Sequence, residues 1–103
     1  MKKLKNIHPW EILQEEFLGP MKLSTYRLAK ATKIPATRIS EILKRRRSIT
    51  VDTALRFAKF FGTTPDFWLG LQMEYDLRRD SAERQKMLDS IQSYEEIVRS
   101  AGI

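Results

Sequence analysis

The sequence predicts an all-α fold, and three observations carry that prediction. Apolar residues recur at intervals of three and four along most of the chain, and no stretch makes a convincing β-strand. Cap-type residues (Ser24, Thr50, Thr64) and breakers (Gly19-Pro20, Gly62) divide that pattern at helix-length intervals. Residues 22–50, KLSTYRLAKATKIPATRISEILKRRRSIT, read as a short helix, a tight turn and a second helix ending in four consecutive cations. A chain of 103 residues supports one compact domain with a modest core and a terminal extension. The expected boundaries are a helix-turn-helix domain over residues 1–79 and a helical extension over residues 80–103.

Taken in order, residues 8–18 form the first helix, with Pro9 in the first turn, Glu11 near the positive end of the dipole, and Gly19-Pro20 as its stop. Trp10, Ile12, Leu13 and Phe17 are its candidates for burial. Ser24 caps a second helix that points Leu28 and Ala29 inward. Thr32, Lys33 and Ile34 make the turn, with Ile34 as a core plug, and a third helix follows Pro35 to about Lys44 on the stripe Ile39, Ile42 and Leu43. Thr50 caps a fourth helix expected to bury Val51, Ala54, Leu55, Ala58 and Phe61, and Gly62 stops it in a left-handed conformation. Thr64, Pro65 and Asp66 start a fifth helix that runs to near Arg79. Asp80 and Glu83 have capping-box spacing at the head of the extension. Beyond them Met87, Ile91, Tyr94 and Val98 form the stripe of an amphipathic C-terminal helix.

The formal charge of +6 is concentrated before residue 50, in Lys2, Lys3 and Lys5 and then in Lys44, Arg45, Arg46 and Arg47. Such a focused field attracts polyanions, either nucleic acid or anionic lipid. The chain has no cysteine, no apolar stretch after the basic start that would make a signal peptide, and nothing near the ~20 apolar residues of a membrane span. A cytoplasmic location with no membrane contact is the expectation. Catalysis finds no support. His8 is the sole histidine and stands at a helix start, Glu15-Glu16 and Glu95-Glu96 are neighbours that do not share a helix face, and the four glycines form no phosphate loop. No metal-ligand set, cofactor site or catalytic group is expected.

A DNA-reading site is better supported. With Ile39 and Ile42 turned inward, Ala36, Thr37, Arg38, Ser40 and Glu41 occupy the outward, early part of the third helix. Arg38 has the fork geometry to donate twice to guanine, Thr37 or Ala36 suits a thymine methyl, and Ser40 or Glu41 suits a base or the orientation of Arg38. Glu41 is costly beside phosphates, which favours its pairing with Arg38 or Arg45. Thr25 and the N–H groups at the head of the second helix suit a phosphate, and Lys44, Arg45, Arg46 and Arg47 continue along the backbone. Tyr26 and Arg27 fit phosphate contacts or plain surface equally.

Two apolar segments are candidates for dimer or partner contacts: Phe67, Trp68 and Leu71 in the fifth helix, and Met87, Ile91, Tyr94 and Val98 in the extension. Phe67 and Trp68 are neighbours, so one completes the core while the other is free for a contact, unless both are core. A two-fold dimer would place its recognition helices roughly 34 Å apart and read an inverted repeat.

Residues 8–77 resemble the HigA/VapI-type antitoxins, within the phage-repressor-like (XRE) helix-turn-helix group. The resemblance rests on HPWEILQEEFL, STYRLAKA, IPATRISEIL and, most specifically, FFGTTPDFWLGLQ followed by YDL. It implies a five-helix repressor-like domain in a homodimer. The dimer would neutralise a small basic toxin, a ribosome-dependent mRNA endonuclease of the HigB, RelE-like kind, and repress its own operon at palindromic sites. The alternative is a stand-alone repressor without a toxin. By position, Ser24 and Thr25 start the scaffold helix, where both are candidate phosphate contacts. Lys22, Lys33 and Arg45 stand where the family generally has glycine. Either the backbone there remains left-handed and each residue adds a cation near the DNA, Lys33 among the phosphate contacts, or the turns have changed shape.

Overall fold

A computed structural model describes residues 6–79 and 81–102. Among them the only regular elements are helices: α1 (Pro9–Ile12), continued by a π-helical turn (Leu13–Leu18), then α2 (Thr25–Thr32), α3 (Ala36–Leu43), α4 (Val51–Phe61), α5 (Pro65–Arg78), α6 (Ala82–Asp89) and α7 (Tyr94–Ala101). Lys2, Lys3, Lys5 and Asp80 lie outside the described residues.

Side-chain caps set most of the helix starts. His8 Nδ1 accepts from Trp10 N, Ser24 Oγ from Arg27 N, Thr50 Oγ1 from Thr53 N and Thr64 Oγ1 from Phe67 N. Gly62 ends α4 at φ 75°, the left-handed stop that its position implies. The first helix departs from the expected regular α-helix. Its i→i+5 register brings Leu13 and Leu18, five residues apart, to the same interior face, where both are buried.

The core joins Leu13, Leu18, Leu28, Ile34, Ile39, Ile42, Phe57 and Trp68. Trp68 is fully buried at its centre, 5.1 Å from both the Phe17 and Phe57 rings, and its indole N–H donates to Thr63 Oγ1 at 2.8 Å. Phe67 is left partly exposed at the surface. The interior face of α4 is rotated from the expected one: Val51 and Leu55 are exposed, while Thr53, Ala54, Phe57 and Ala58 are buried. Thr53 is tolerated there because its hydroxyl shares the cap with Thr50 Oγ1 at 3.4 Å.

The extension is two short helices rather than one. Ser90 and Ser93 interrupt it, Ser90 Oγ donating to Met87 O and Ser93 Oγ accepting from Glu96 N to start α7. The head of α6 is capped by Ser81, whose Oγ accepts from Arg84 N. No residue of α6 or α7 is buried. The radius of gyration, 18.8 Å, exceeds the ~13 Å of a compact 100-residue chain because this arm stands away from the core.

Candidate nucleic-acid interface

The turn between α2 and α3 is built on a left-handed residue. Lys33 has φ 58°, and its N–H and that of Ile34 both donate to Ala29 O, closing the end of α2. Ile34, only 3% exposed, then enters the core and fixes the angle at which α3 departs. Lys22 and Arg45 are left-handed as well, at φ 51° and 63°. The turns therefore keep the backbone shape that favours glycine, and the register of the flanking helices is retained.

Ile39 and Ile42 are completely buried on α3. Its early outward residues divide in consequence: Ala36 and Thr37 are exposed, while Arg38, Ser40 and Glu41 are half-buried. α3 has no side-chain cap at its start; Pro35 precedes it, and Arg38 N turns back to Pro35 O at 3.0 Å. Its first N–H groups therefore meet solvent or an incoming acceptor.

Arg38 is not loose. Its Nη1 donates to Asp52 Oδ2 at 2.7 Å, and Asp52 also accepts from Arg56 Nε at 3.1 Å. Arg56 in turn donates through Nη1 to Thr32 O at 3.1 Å and Lys33 O at 3.0 Å. One chain of charge-assisted bonds thus ties the base-reading position, the start of α4 and the end of α2 together. Hydrogen bonds from Arg38 first, and from Arg56, hold the Asp52 carboxyl below the usual carboxylate range. Sequence reasoning missed this pair of residues. The i, i+4 spacing of Asp52 and Arg56 was the available signal, whereas the Arg38 contact spans fourteen positions and needs the fold.

The four cations after α3 have different surroundings. The Arg45 guanidinium stacks over the Trp10 ring, 4.8 Å from its centroid. Arg47 pairs with Glu41 at 3.5 Å, so the expected partner of Glu41, Arg38 or Arg45, is replaced by Arg47. Among the described residues Lys44 and Arg46 have no ion-pair partner. On α2, Ser24 and Thr25 stand at the helix head, Tyr26 is exposed, and Lys30 lies 5.7 Å over the Tyr26 ring. The Ser24 oxygen is committed as acceptor to Arg27 N, which leaves its proton for a phosphate.

The contact candidates separate in a similar way. Burial removes Trp68 from any partner surface and Leu71 packs against the core, whereas Phe67 remains accessible. Met87 (α6), Ile91 (the interruption) and Tyr94 (the head of α7) are exposed, and Val98 is half-covered; the break prevents one continuous stripe. Among the described residues no group of His, Asp and Glu is arranged to hold a metal ion, and no helix is long and apolar enough to cross a membrane.

An exposed second helix set by a buried plug and a left-handed turn, with cations following it, defines the helix-turn-helix class, and residues 15–68 match the helix-turn-helix family. Virulence-associated protein I of Dichelobacter nodosus is 47% identical over 81 residues, covering 79% of this chain and 75% of that protein. An addiction module antidote protein of a HigA family from Coxiella burnetii is 48% identical, with a TM-score of 0.76 over 88% of this chain and 100% of that one. The Pseudomonas aeruginosa antitoxin HigA, solved with the higBA promoter, is 36% identical, with a TM-score of 0.78 over 87% of this chain and 99% of that one. The chain belongs to the HigA/VapI-type antitoxin family of helix-turn-helix proteins.

Proposed function

We propose that this protein is a cytoplasmic, non-enzymatic antitoxin that binds operator DNA as a homodimer, represses its own operon and neutralises a small basic HigB/RelE-like mRNA endonuclease by direct binding. The observation that carries the reading is the outward start of α3. Ala36 and Thr37 are exposed and the helix is uncapped, while Ile39 and Ile42 anchor its back face. A relative with the same fold was solved with the promoter of a higBA operon, which supports the operator part.

In this reading Ala36, Thr37, Arg38, Ser40 and Glu41 face base edges. Ser24, Thr25, Tyr26, Lys33 and Lys44 to Arg47 position the backbone. Phe67 and the exposed apolar residues of the arm, Met87, Ile91 and Tyr94, are the surfaces for the second protomer or the toxin; exposed apolar groups in such number mark an interaction surface. The domain boundary falls between residues 79 and 80.

The test is a salt-dependent titration of the full chain against its own upstream promoter and a scrambled duplex, with and without the product of the adjacent gene. Promoter-selective binding, altered by a stable complex with that product, is the expected result. Selective binding with no effect of the neighbour replaces the antitoxin with a stand-alone repressor. Equal binding to both duplexes at low salt refutes the autoregulatory part.

A further inference from the structure

A cavity of about 250 Å³ lies between the loop after α3, the end of α5 and His8, outside the base-reading face of α3. Arg45, Arg46, Arg47 and Arg79 line it, together with Ser48 and Gln72. We infer that this cavity is a seat for a phosphate group. The inference deepens the DNA-binding reading where that phosphate belongs to the duplex.

The lining chemistry is that of an anion site. Four guanidinium groups surround a space smaller than the ~300–1,000 Å³ of pockets for drug-sized apolar ligands. Asp76 is the one carboxylate of the lining, and its Oδ1 already accepts from Gln72 Nε2 at 3.1 Å. Arg47 is partly neutralised by Glu41, but among the described residues Arg46 and Arg79 have no ion-pair partner. His8 supplies a further donor. Its Nδ1 accepts from Trp10 N, so the neutral ring carries its proton on Nε2, for which no protein acceptor occurs among the described residues.

The walls are fixed in advance. His8 is buried against Tyr75, with ring centroids 4.3 Å apart, and Gln72 is buried with Oε1 accepting from Ile49 N at 2.9 Å. Arg45 is held over Trp10 in its left-handed turn. Binding therefore orders chiefly the outer guanidinium groups of Arg46 and Arg79. A backbone phosphate of DNA and a free phosphorylated ligand present the same chemistry to these groups.

Calorimetric titration of the full chain with inorganic pyrophosphate at constant ionic strength tests the seat, with Arg79→Ala as the variant and Arg78→Ala as the control. Arg78 lies outside the cavity and pairs with Glu74, so R78A removes the same charge without touching the seat. The expected result is about a tenfold or greater loss of pyrophosphate affinity in R79A, none in R78A, and recovery in R79K. The operator titration then identifies the source. A salt slope lower by about 0.9 in R79A assigns the seat to a DNA phosphate. An unchanged operator curve beside weakened pyrophosphate binding assigns it to a free ligand. Equal pyrophosphate affinity in wild type, R79A and R78A overturns the inference, as does equal loss in the two alanine variants. Failure of the wild type to prefer operator over scrambled DNA counts against the DNA reading alone and leaves the pyrophosphate result standing.

Discussion

Replacing Lys33 and Arg45 separately with glycine should give unequal results, although both residues are left-handed, at φ 58° and 63°. Left-handed backbone costs a residue with a Cβ about 1–2 kcal/mol. Glycine removes that cost but enlarges the entropy of the unfolded chain, which offsets about 0.4–1 kcal/mol of the gain. The net for Lys33→Gly is a stabilisation of about 0.5–1 kcal/mol. The Lys33 backbone contacts to Ala29 and Arg56 survive the change. Arg45→Gly also deletes the guanidinium 4.8 Å above Trp10, a contact worth about 0.5–1 kcal/mol at an exposed site. Its net should be near zero. Urea and thermal unfolding separate the two, since about 1 kcal/mol moves the midpoint of a small domain by ~4–8 °C. Equal stabilisation by both glycines would refute the role given to the Arg45–Trp10 stack, and destabilisation by Lys33→Gly would refute the strain argument itself.

Three further outcomes follow from the same geometry. Gln72→Ala removes the acceptor of the buried Ile49 N–H and should cost about 1–3 kcal/mol in urea unfolding, with the loss concentrated on the turn before α4. Burial first, and then the nearby Arg45 charge, lowers the His8 pKa from 6.5, so the fold favours the neutral ring that caps α1. That contribution is complete above pH 6.5 and is lost as pH falls through the lowered value; melting temperatures between pH 8 and 5 should fall for wild type and vary less for His8→Asn. Asp52→Asn should raise affinity for scrambled DNA and reduce the operator-to-scrambled ratio, because it removes a negative charge beside α3 and frees Arg38; competition titrations on the two duplexes measure both effects.

The helix-turn-helix was legible in the sequence because its determinants are local. Ser24, Thr50 and Thr64 cap within three residues of themselves, Gly62 needs only its own backbone freedom, and the buried pair Ile39 and Ile42 sets the face of α3 by spacing alone. The face of α4 was less legible. Val51 and Leu55 are apolar at helical spacing, yet the interior takes Thr53 and Phe57, since the neighbours of α4 and not its own periodicity decide its rotation. The π-helical turn had no local signal, and the i→i+5 register follows from the demand that Leu13 and Leu18 share one interior. In the extension, the regular apolar spacing concealed the serines that divide it. At the candidate interface the outward residues of α3 could be named from the sequence, but their partners could not, because Asp52 and Arg47 reach Arg38 and Glu41 from other elements.

Those partners decide how the recognition helix works. In the free protein Arg38 is held by Asp52, so its side chain is ordered before any DNA arrives. The pair is open to water, with 28% of the Arg38 side chain and 53% of the Asp52 side chain exposed, and ion pairs so placed contribute little to stability. A bidentate contact to guanine is worth about 1–3 kcal/mol of discrimination against the wrong base. Exchange of Asp52 for the correct base is therefore favourable, whereas exchange for a base offering one poor acceptor is not. Asp52 keeps its second bond to Arg56 throughout, so α2 and α4 stay joined while Arg38 changes partner. The acid beside the recognition helix thus acts as a competitor that only a well-matched base displaces, and the scaffold around it is the same before and after.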